Sequence, residues 1–202
     1  MKHTLTPARS ASLRQTRWQP HVLALNAPAA LRPWLTEDGS LTARLKAHSS
    51  SFRVQCLHQQ TALCLNDEAA SIGMHRAGRV WEREVLLRCD NTPVVFAHTV
   101  VPMSATATDW PLFSALGERS LGTTLFGDPQ VRRGELEFAR LRAGHPLAQR
   151  ARTALALDGK VSEDELILYA RRCLYRRRQG SLLVTEVFLP AVLALLPQQT
   201  SK

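Results

Sequence analysis

The sequence predicts an α+β fold: one domain built on a six-stranded, mainly antiparallel sheet with flanking helices. Six short segments have the alternating or continuously apolar pattern that is typical of strands. Turn-forming residues at 90–93 and 179–180 join two pairs of these segments as hairpins, which makes each pair antiparallel. The helical segments do not alternate one to one with the strands, and this favours α+β over a doubly wound fold. The predicted strands are 51–58, 80–89, 94–101, 131–140, 169–178 and 181–189.

Helices are predicted at 27–35, 41–48, 109–119 and 145–157. Pro33 weakens the second half of the first helix, because proline removes a backbone donor and clashes with the preceding turn. Ser40 is a suitable N-cap for the second helix, and Asp109 followed closely by a proline is a good start for the third. We expect little regular structure over 61–78 and a plain turn over 120–123.

Length and composition predict an ordinary globular protein. The 202 residues are enough for one domain with a sizeable core, and hydrophobic content is 45% with 21% charged residues. The first twenty residues are basic and polar with no apolar stretch, which argues against a secretory signal. No run approaches about 18 apolar residues, so no membrane insertion is expected. We therefore expect a cytoplasmic protein.

The formal net charge of +9 raises the question of nucleic acid binding. The densest basic run, 171–178, is predicted as a strand, so its arginines alternate between two faces and form no single phosphate-binding stripe. We expect no nucleic acid partner, and a basic surface that attracts an anionic small molecule. Four widely spaced cysteines predict free thiols, and no cysteine or histidine spacing predicts a metal site.

Two lone charges stand out in apolar strands. Arg83 shares its strand face with Trp81, Val85 and Leu87, and Glu186 is the only charge between Gly180 and Pro190. A buried charge is unfavourable unless an opposite charge meets it. Arg83 and Glu186 therefore either neutralise each other as a buried ion pair or bind opposite ends of a small anionic ligand. The sequence pattern leaves both alternatives open.

Four motifs then identify a family. WEREVLLRCD, HTVVPMS, SLGTTLF and LLVTEVFLP occur in this order, and the chain resembles chorismate lyase (chorismate pyruvate-lyase) from about Ser40 to Pro190. The resemblance implies a six-stranded antiparallel sheet whose flanking helices cover a buried ligand pocket. It implies a carbon–oxygen lyase that converts chorismate to 4-hydroxybenzoate and pyruvate, the first step of bacterial ubiquinone biosynthesis. It also implies a monomer that needs no cofactor and retains its product.

The resemblance also implies roles for four residues. Arg83 would bind the ring carboxylate through two hydrogen bonds, and Glu186 would lie at the other end of the ring. There, burial would favour a neutral Glu186 that acts as general acid or bonds the product hydroxyl. Leu41 and Leu121 would contact the ring, with the Leu121 backbone amide as a further donor. On periodicity alone, Leu41 is better explained by core packing and Leu121 by a turn.

Several points stay open at this stage. The arginine that meets the enolpyruvyl carboxylate could be Arg132, Arg133, Arg171 or Arg172. The sequence does not distinguish 4- from 3-hydroxybenzoate as the product. His98 is more simply a hydrogen-bonded structural histidine than a participant in the site, since family members carry arginine there.

The resemblance also sets the expected domain boundaries. We expect a basic, flexible segment at 1–25, the lyase-like domain at 26–192 and a tail at 193–202. Residues 143–166 are extra relative to the family, and we expect a surface excursion with a helix and a capping box at 162–165. The alternative function is a non-catalytic ligand-binding domain like the effector domains of bacterial transcription regulators. Those are fused to a winged-helix domain, for which the segment before Ser40 is too short.

Overall fold

The computed structural model describes residues 16–106, 108–111, 113–157, 159 and 167–195, with the side chains of 123, 124 and 126 left out. The predicted capping box at 162–165 lies outside the described residues. So do most of the N-terminal segment, at 1–15, and most of the tail, at 196–202.

Six strands form one antiparallel sheet in the order β1-β2-β3-β6-β5-β4. Each half of the sheet is a meander of three consecutive strands, and β3 pairs with β6 at the centre. The α+β prediction and all six predicted strands are confirmed. The strands are β1 Phe52–Leu63, β2 Arg79–Cys89, β3 Thr92–Pro102, β4 Val131–Arg142, β5 Ile167–Arg177 and β6 Gly180–Phe188.

Five α-helices occur in the described part of the chain: α1 Arg32–Leu35, α2 Leu41–Ala47, α3 Asn66–Ser71, α4 Leu121–Gly127 and α5 Pro146–Leu157. Short 3₁₀ helices cover Val22–Leu25, Met103–Ala105, Phe113–Ala115 and Pro190–Ala194. The predictions for α2 and α5 are confirmed. Ser40 caps α2 as expected, because its hydroxyl accepts a hydrogen bond from the Ala43 backbone N–H at 3.3 Å.

Two segments are more regular than the sequence predicted. The expectation of little structure over 61–78 is wrong, because β1 continues to Leu63 and α3 follows it. The Glu68 carboxylate stabilises the start of α3 by accepting a hydrogen bond from the Leu65 N–H at 2.9 Å. The helix predicted at 27–35 forms only over its last four residues, where Pro33 lies in the first turn and needs no backbone partner.

The segment before β4 reverses the predicted order of helix and turn. Of the helix predicted over 109–119, the described residues form only one 3₁₀ turn at Phe113–Ala115. Gly117 then takes a φ of +53°, a left-handed conformation that ends helical structure. The turn predicted over 120–123 is instead the beginning of α4, with Ser120 at the N-cap position. Burial of Trp110, Phe113 and Leu116 accounts for this, because tertiary packing overrides the local signal.

Alternation gives the central strands two buried faces. The near face carries Arg83 and Val85 and lies beneath α2 and α4. The far face carries Glu82 and Glu84 and lies beneath α3 and α5. The extra segment is therefore not a surface excursion, because the Leu147 side of α5 packs into the core of the far face.

The far face holds a buried cluster of ionic side chains. Glu68, Glu82 and Glu84 are each less than 5% exposed, and His98 is fully buried among them. His98 Nδ1 lies 3.0 Å from Glu84 Oε1, and its Nε2 forms an ion pair with Glu68 Oε1 at 2.9 Å. Arg150 of α5 contacts Glu84 at 2.7 Å and Glu82 at 3.0 Å. The carboxylates of this face are thus met by cations of the chain itself.

His98 is the centre of this cluster and is charged at neutral pH. Burial alone would lower the pKa of His98, but the ion pairs with Glu68 and Glu84 outweigh burial and raise it to about 10. Burial would likewise raise the pKa of Glu68 and of Glu84, yet their contacts with His98 hold both below the ordinary value. His98 is therefore a structural cation, as its isolation among apolar neighbours indicated.

His98 should make stability depend on pH. Its folded-state pKa is raised above the unfolded value, so its contribution is complete below about pH 6.5 and is lost as pH rises towards 10. We expect His98→Gln to lower the free energy of unfolding by a few kcal/mol at pH 6, and by much less at pH 10. Urea denaturation at both pH values measures this. The exposed His75→Gln is the control, and a pH-independent gap would contradict the prediction.

Candidate active site

A cavity lies between the near face of the sheet and the helices α2 and α4. Its empty volume, including the opening to solvent, is about 550 Å³. The structure brings all four predicted site residues to its wall: Leu41, Arg83, Leu121 and Glu186. The remaining charged or hydroxyl-bearing side chains on the wall are Thr42, Thr99, Ser120, Arg171 and Tyr175. Whether each residue binds a ligand stays a prediction.

The strand register sets the distance between the two lone charges. Arg83 on β2 is opposite Thr99 on β3, whereas Glu186 on β6 is opposite Ala97, two residues before Thr99. Arg83 and Glu186 are therefore separated by two strand spacings and one side-chain repeat, roughly 12 Å between their backbone positions. The small side chains of Ala97, Thr99 and Val184 form the floor between them. Such a floor suits a flat ring.

Arg83 is buried without a counter-charge. Its side chain is 2% exposed, and Nη2 donates to the backbone oxygens of Gly117 at 2.8 Å and Arg119 at 3.0 Å. Its Nε has no hydrogen-bond partner, and no carboxylate of the described residues lies within ion-pair distance. Burial accordingly lowers the pKa of Arg83. The arrangement leaves a guanidinium edge for a ligand anion.

Glu186 is paired with Arg171 and not with Arg83. Arg171 is the direct cross-strand neighbour of Glu186, and its Nε donates to Glu186 Oε2 at 2.5 Å. The first alternative from the sequence, a mutual ion pair of Arg83 and Glu186, is therefore wrong. An arginine at this distance favours an ionised carboxylate, and so the expectation of a neutral Glu186 is not supported by the contact. The other acceptor positions of the carboxylate remain for a hydroxyl group of a ligand.

Helices α2 and α4 meet over the cavity. The hydroxyls of Thr42 and Ser120 are 2.7 Å apart and join the first turns of the two helices. A Cβ on Gly122 would lie 3.2 Å from Thr42 Oγ1, so the glycine permits this close approach. Leu121 is the first residue of α4, where a backbone N–H has no acceptor within the helix. Leu41 and Leu121 thus provide an apolar roof, with a backbone donor at Leu121.

Sequence reasoning missed the partner of Glu186 and the hydroxyl contact of the roof. Arg171 was one of four candidate arginines, and the strand alternation separates it from Arg172, which bonds Glu137 on the far face at 2.8 Å. The sequence does not tell which strands pair, so it could not place Arg171 beside Glu186. Ser120 was assigned to a turn, and no local signal connects it to Thr42.

One group of described side chains has the composition of a metal site. The ligand atoms of His58, Glu82 and Glu84 lie within 4.8 Å of one another on the far face. The Arg150 guanidinium contacts both carboxylates, so it already supplies the positive charge that a cation would bring. The four cysteines are free, as predicted. None of the described helices is long and apolar enough to cross a membrane.

Comparison with known proteins agrees with the resemblance. The family model for chorismate lyase matches residues 12–195. A probable chorismate pyruvate-lyase of Ralstonia nicotianae is 50% identical over 164 residues, which are 81% of this chain and 83% of that relative. A second one, of Cupriavidus metallidurans, is 46% identical over 177 residues, which are 87% of this chain and 81% of that relative.

Solved structures with a similar fold are domains of transcription regulators. The effector domain of PhnF from Mycobacterium smegmatis matches with a TM-score of 0.52 at 16% identity, over 75% of this chain and 89% of that domain. A GntR-family regulator from Bacillus cereus matches with a TM-score of 0.50 at 10% identity, over 70% of this chain and 93% of that chain. At these identities the likeness shows the fold alone.

The exposed edge of the buried guanidinium predicts binding of an aromatic acid. At roughly a hundred times its Kd, 4-hydroxybenzoate should raise the Tm by about 5 to 10 °C, measured by differential scanning fluorimetry. Arg83→Met should abolish the shift, because it removes the charge that meets the carboxylate. 4-Hydroxybenzyl alcohol, which lacks the carboxylate, is the ligand control. An equal shift in the variant would contradict the assignment.

Proposed function

The chain belongs to the chorismate lyase family, and from this premise we propose that it is a chorismate pyruvate-lyase that produces 4-hydroxybenzoate. The observation that carries the proposal is the buried, unpaired Arg83 at one end of a cavity with Glu186 at the other. Chorismate has a ring carboxylate at one end and a hydroxyl and an enolpyruvyl ether at the other. The spacing and chemistry of the two charged residues fit these two ends.

The reaction follows from these contacts. Arg83 holds the ring carboxylate with two N–H groups, and the carboxylate of Glu186 accepts a hydrogen bond from the ring hydroxyl. The bond between the ring and the ether oxygen breaks, and its electron pair leaves with the oxygen. The ring carbon that carries the hydroxyl gives up its proton as the ring becomes aromatic, and this proton ends on the methyl group of pyruvate. Atoms and charge balance without an oxidant or reductant.

The enzyme contributes position and exclusion of water. Aromatisation supplies the driving force, so the residues of the cavity need to hold the ring flat and keep the reacting atoms oriented. The floor of Ala97, Thr99 and Val184 and the roof of Leu41 and Leu121 do so through apolar contact. The single ring carboxylate of the product fits the charge of Arg83, and such a match favours slow product release.

The finer parts of the assignment rest on the same proposal. Production of 4-hydroxybenzoate would supply the first step of ubiquinone biosynthesis. Location in the cytoplasm, a monomeric state and the absence of a nucleic acid partner stay predictions. The alternative, a ligand-binding domain without catalysis, has the support of the fold shared with the PhnF effector domain. It predicts binding of an aromatic acid without turnover of chorismate.

Turnover of chorismate tests the proposal. Incubation of the purified protein with chorismate should give 4-hydroxybenzoate, followed by ultraviolet absorbance and identified by chromatography against the 3-hydroxy isomer. Arg83→Ala and Glu186→Ala should each reduce kcat/KM at least about a thousandfold, because each removes a contact to the reacting ring. Matched controls are Arg176→Ala and Glu135→Ala, since both residues are exposed on neighbouring strands.

Retention of the fold is checked by circular dichroism and by Tm. Normal turnover in either site variant would remove that residue from the mechanism. Binding of 4-hydroxybenzoate by a wild-type protein that leaves chorismate unchanged would favour the ligand-binding alternative.

A further inference from the structure

We propose that Arg171 binds the enolpyruvyl carboxylate of chorismate and thereby distinguishes the substrate from the product. This inference rests on the proposed function and extends it to the second carboxylate, for which four arginines were candidates. Arg171 lines the cavity beside Glu186 and its side chain is only 3% exposed.

The position of Arg171 is fixed by its own contacts. Nε donates to Glu186 at 2.5 Å, and Nη1 is directed at the backbone oxygens of Leu35, at 3.3 Å, and Glu37. These oxygens belong to the chain between α1 and α2, so the guanidinium is held between the sheet and the roof. The printed contacts use Nε and Nη1. The second edge of the fork, with Nη2, is the part of the guanidinium that is left for a ligand among the described residues.

The charges of the cavity require a second cation at this end. Arg83 can neutralise one carboxylate, and the product of the proposed reaction has only one. Chorismate has two, and its enolpyruvyl ether is attached next to the ring hydroxyl. A ligand whose hydroxyl meets Glu186 therefore brings its second carboxylate close to the Glu186 carboxylate. Two like charges at this distance repel strongly in a partly buried site unless a cation lies between them.

The other three candidate arginines do not meet this requirement. Arg132 is exposed, and Arg133 contacts the backbone oxygen of Asp38 and is not part of the cavity wall. Arg172 points to the far face, where Glu137 accepts from its Nε at 2.8 Å. Of the cations that line the cavity among the described residues, Arg83 and Arg171 are the pair, and Arg83 is at the opposite end.

A consequence is that Arg171 contacts a group that leaves. Before the reaction its guanidinium bridges Glu186 and the enolpyruvyl carboxylate. After the bond to the ether oxygen breaks, that carboxylate departs with pyruvate, and the aromatic product keeps only the contacts with Arg83 and Glu186. Loss of Arg171 should therefore weaken the substrate and leave the product nearly unaffected.

Two stable ligands separate this role from a merely structural one. The first is 4-hydroxybenzoate, with one carboxylate. The second is 3-(carboxymethoxy)-4-hydroxybenzoate, which carries a further carboxylate on an ether next to the hydroxyl. In Arg171→Gln, the affinity for the diacid and the KM for chorismate should worsen about 10- to 100-fold. The Kd of 4-hydroxybenzoate should change less than about threefold. Calorimetry measures both ligands, and Arg176→Gln is the control on the same strand.

Glu186→Gln provides the contrasting result, because the hydroxyl that it contacts is common to both ligands and both should weaken alike. If Arg171→Gln weakened the two ligands equally, Arg171 would only position Glu186, and the inference would be overturned. No change in either ligand would overturn it as well. If Arg171→Gln does not fold, Arg171→Lys keeps the charge but loses the fork. The lysine variant should lower the preference for the diacid, and an unchanged preference would contradict the inference.

The outcome is independent of the proposed reaction. Wild-type protein that forms no 4-hydroxybenzoate from chorismate would contradict the proposed function. The comparison of diacid and monoacid binding would still show whether Arg171 recognises a second carboxylate.

Discussion

The guanidinium of Arg83 is buried in the sheet, and no carboxylate of the described chain lies beside it. A buried charge in this state destabilises the free protein, since desolvation is not offset by an ion pair. The near face therefore keeps an electrostatic vacancy that an anion of the right size fills. The position of the floor, the roof and the second pair of charges all relate to this one residue, because together they determine which anion can reach it.

The two faces of the sheet treat charge in opposite ways. On the far face, Glu68 and Glu84 are met by His98, and Arg150 of the extra helix α5 completes the pairing. On the near face, Glu186 is paired and Arg83 is not. Adjacent residues of the same strand, such as Arg83 and Glu84, thus serve different purposes. A neutralised far face fixes the strands β2 and β3, and this rigid support allows the near face to hold an uncompensated charge in place.

The roof explains how a buried site can be built from short helices. Neither α2 nor α4 is long enough to be stable alone, and both depend on packing against the sheet. The Thr42–Ser120 contact joins them at their first turns, directly above the ring position. The same arrangement turns Ser120 and Leu121, which look like turn residues in isolation, into the beginning of a helix.

The sequence by itself determined the six strands, the antiparallel hairpins and the two lone charges, because strand alternation and turn chemistry are local properties. It also indicated that His98 is structural. Only the tertiary structure decided that β6 lies between β3 and β5, which places Arg171 beside Glu186 and keeps Arg83 roughly 12 Å away. The helix at 109–119 was wrongly predicted, and α3 and α4 were missed, for a related reason. Short segments take the structure that buries their apolar side chains, and the partners for that burial come from strands distant in sequence.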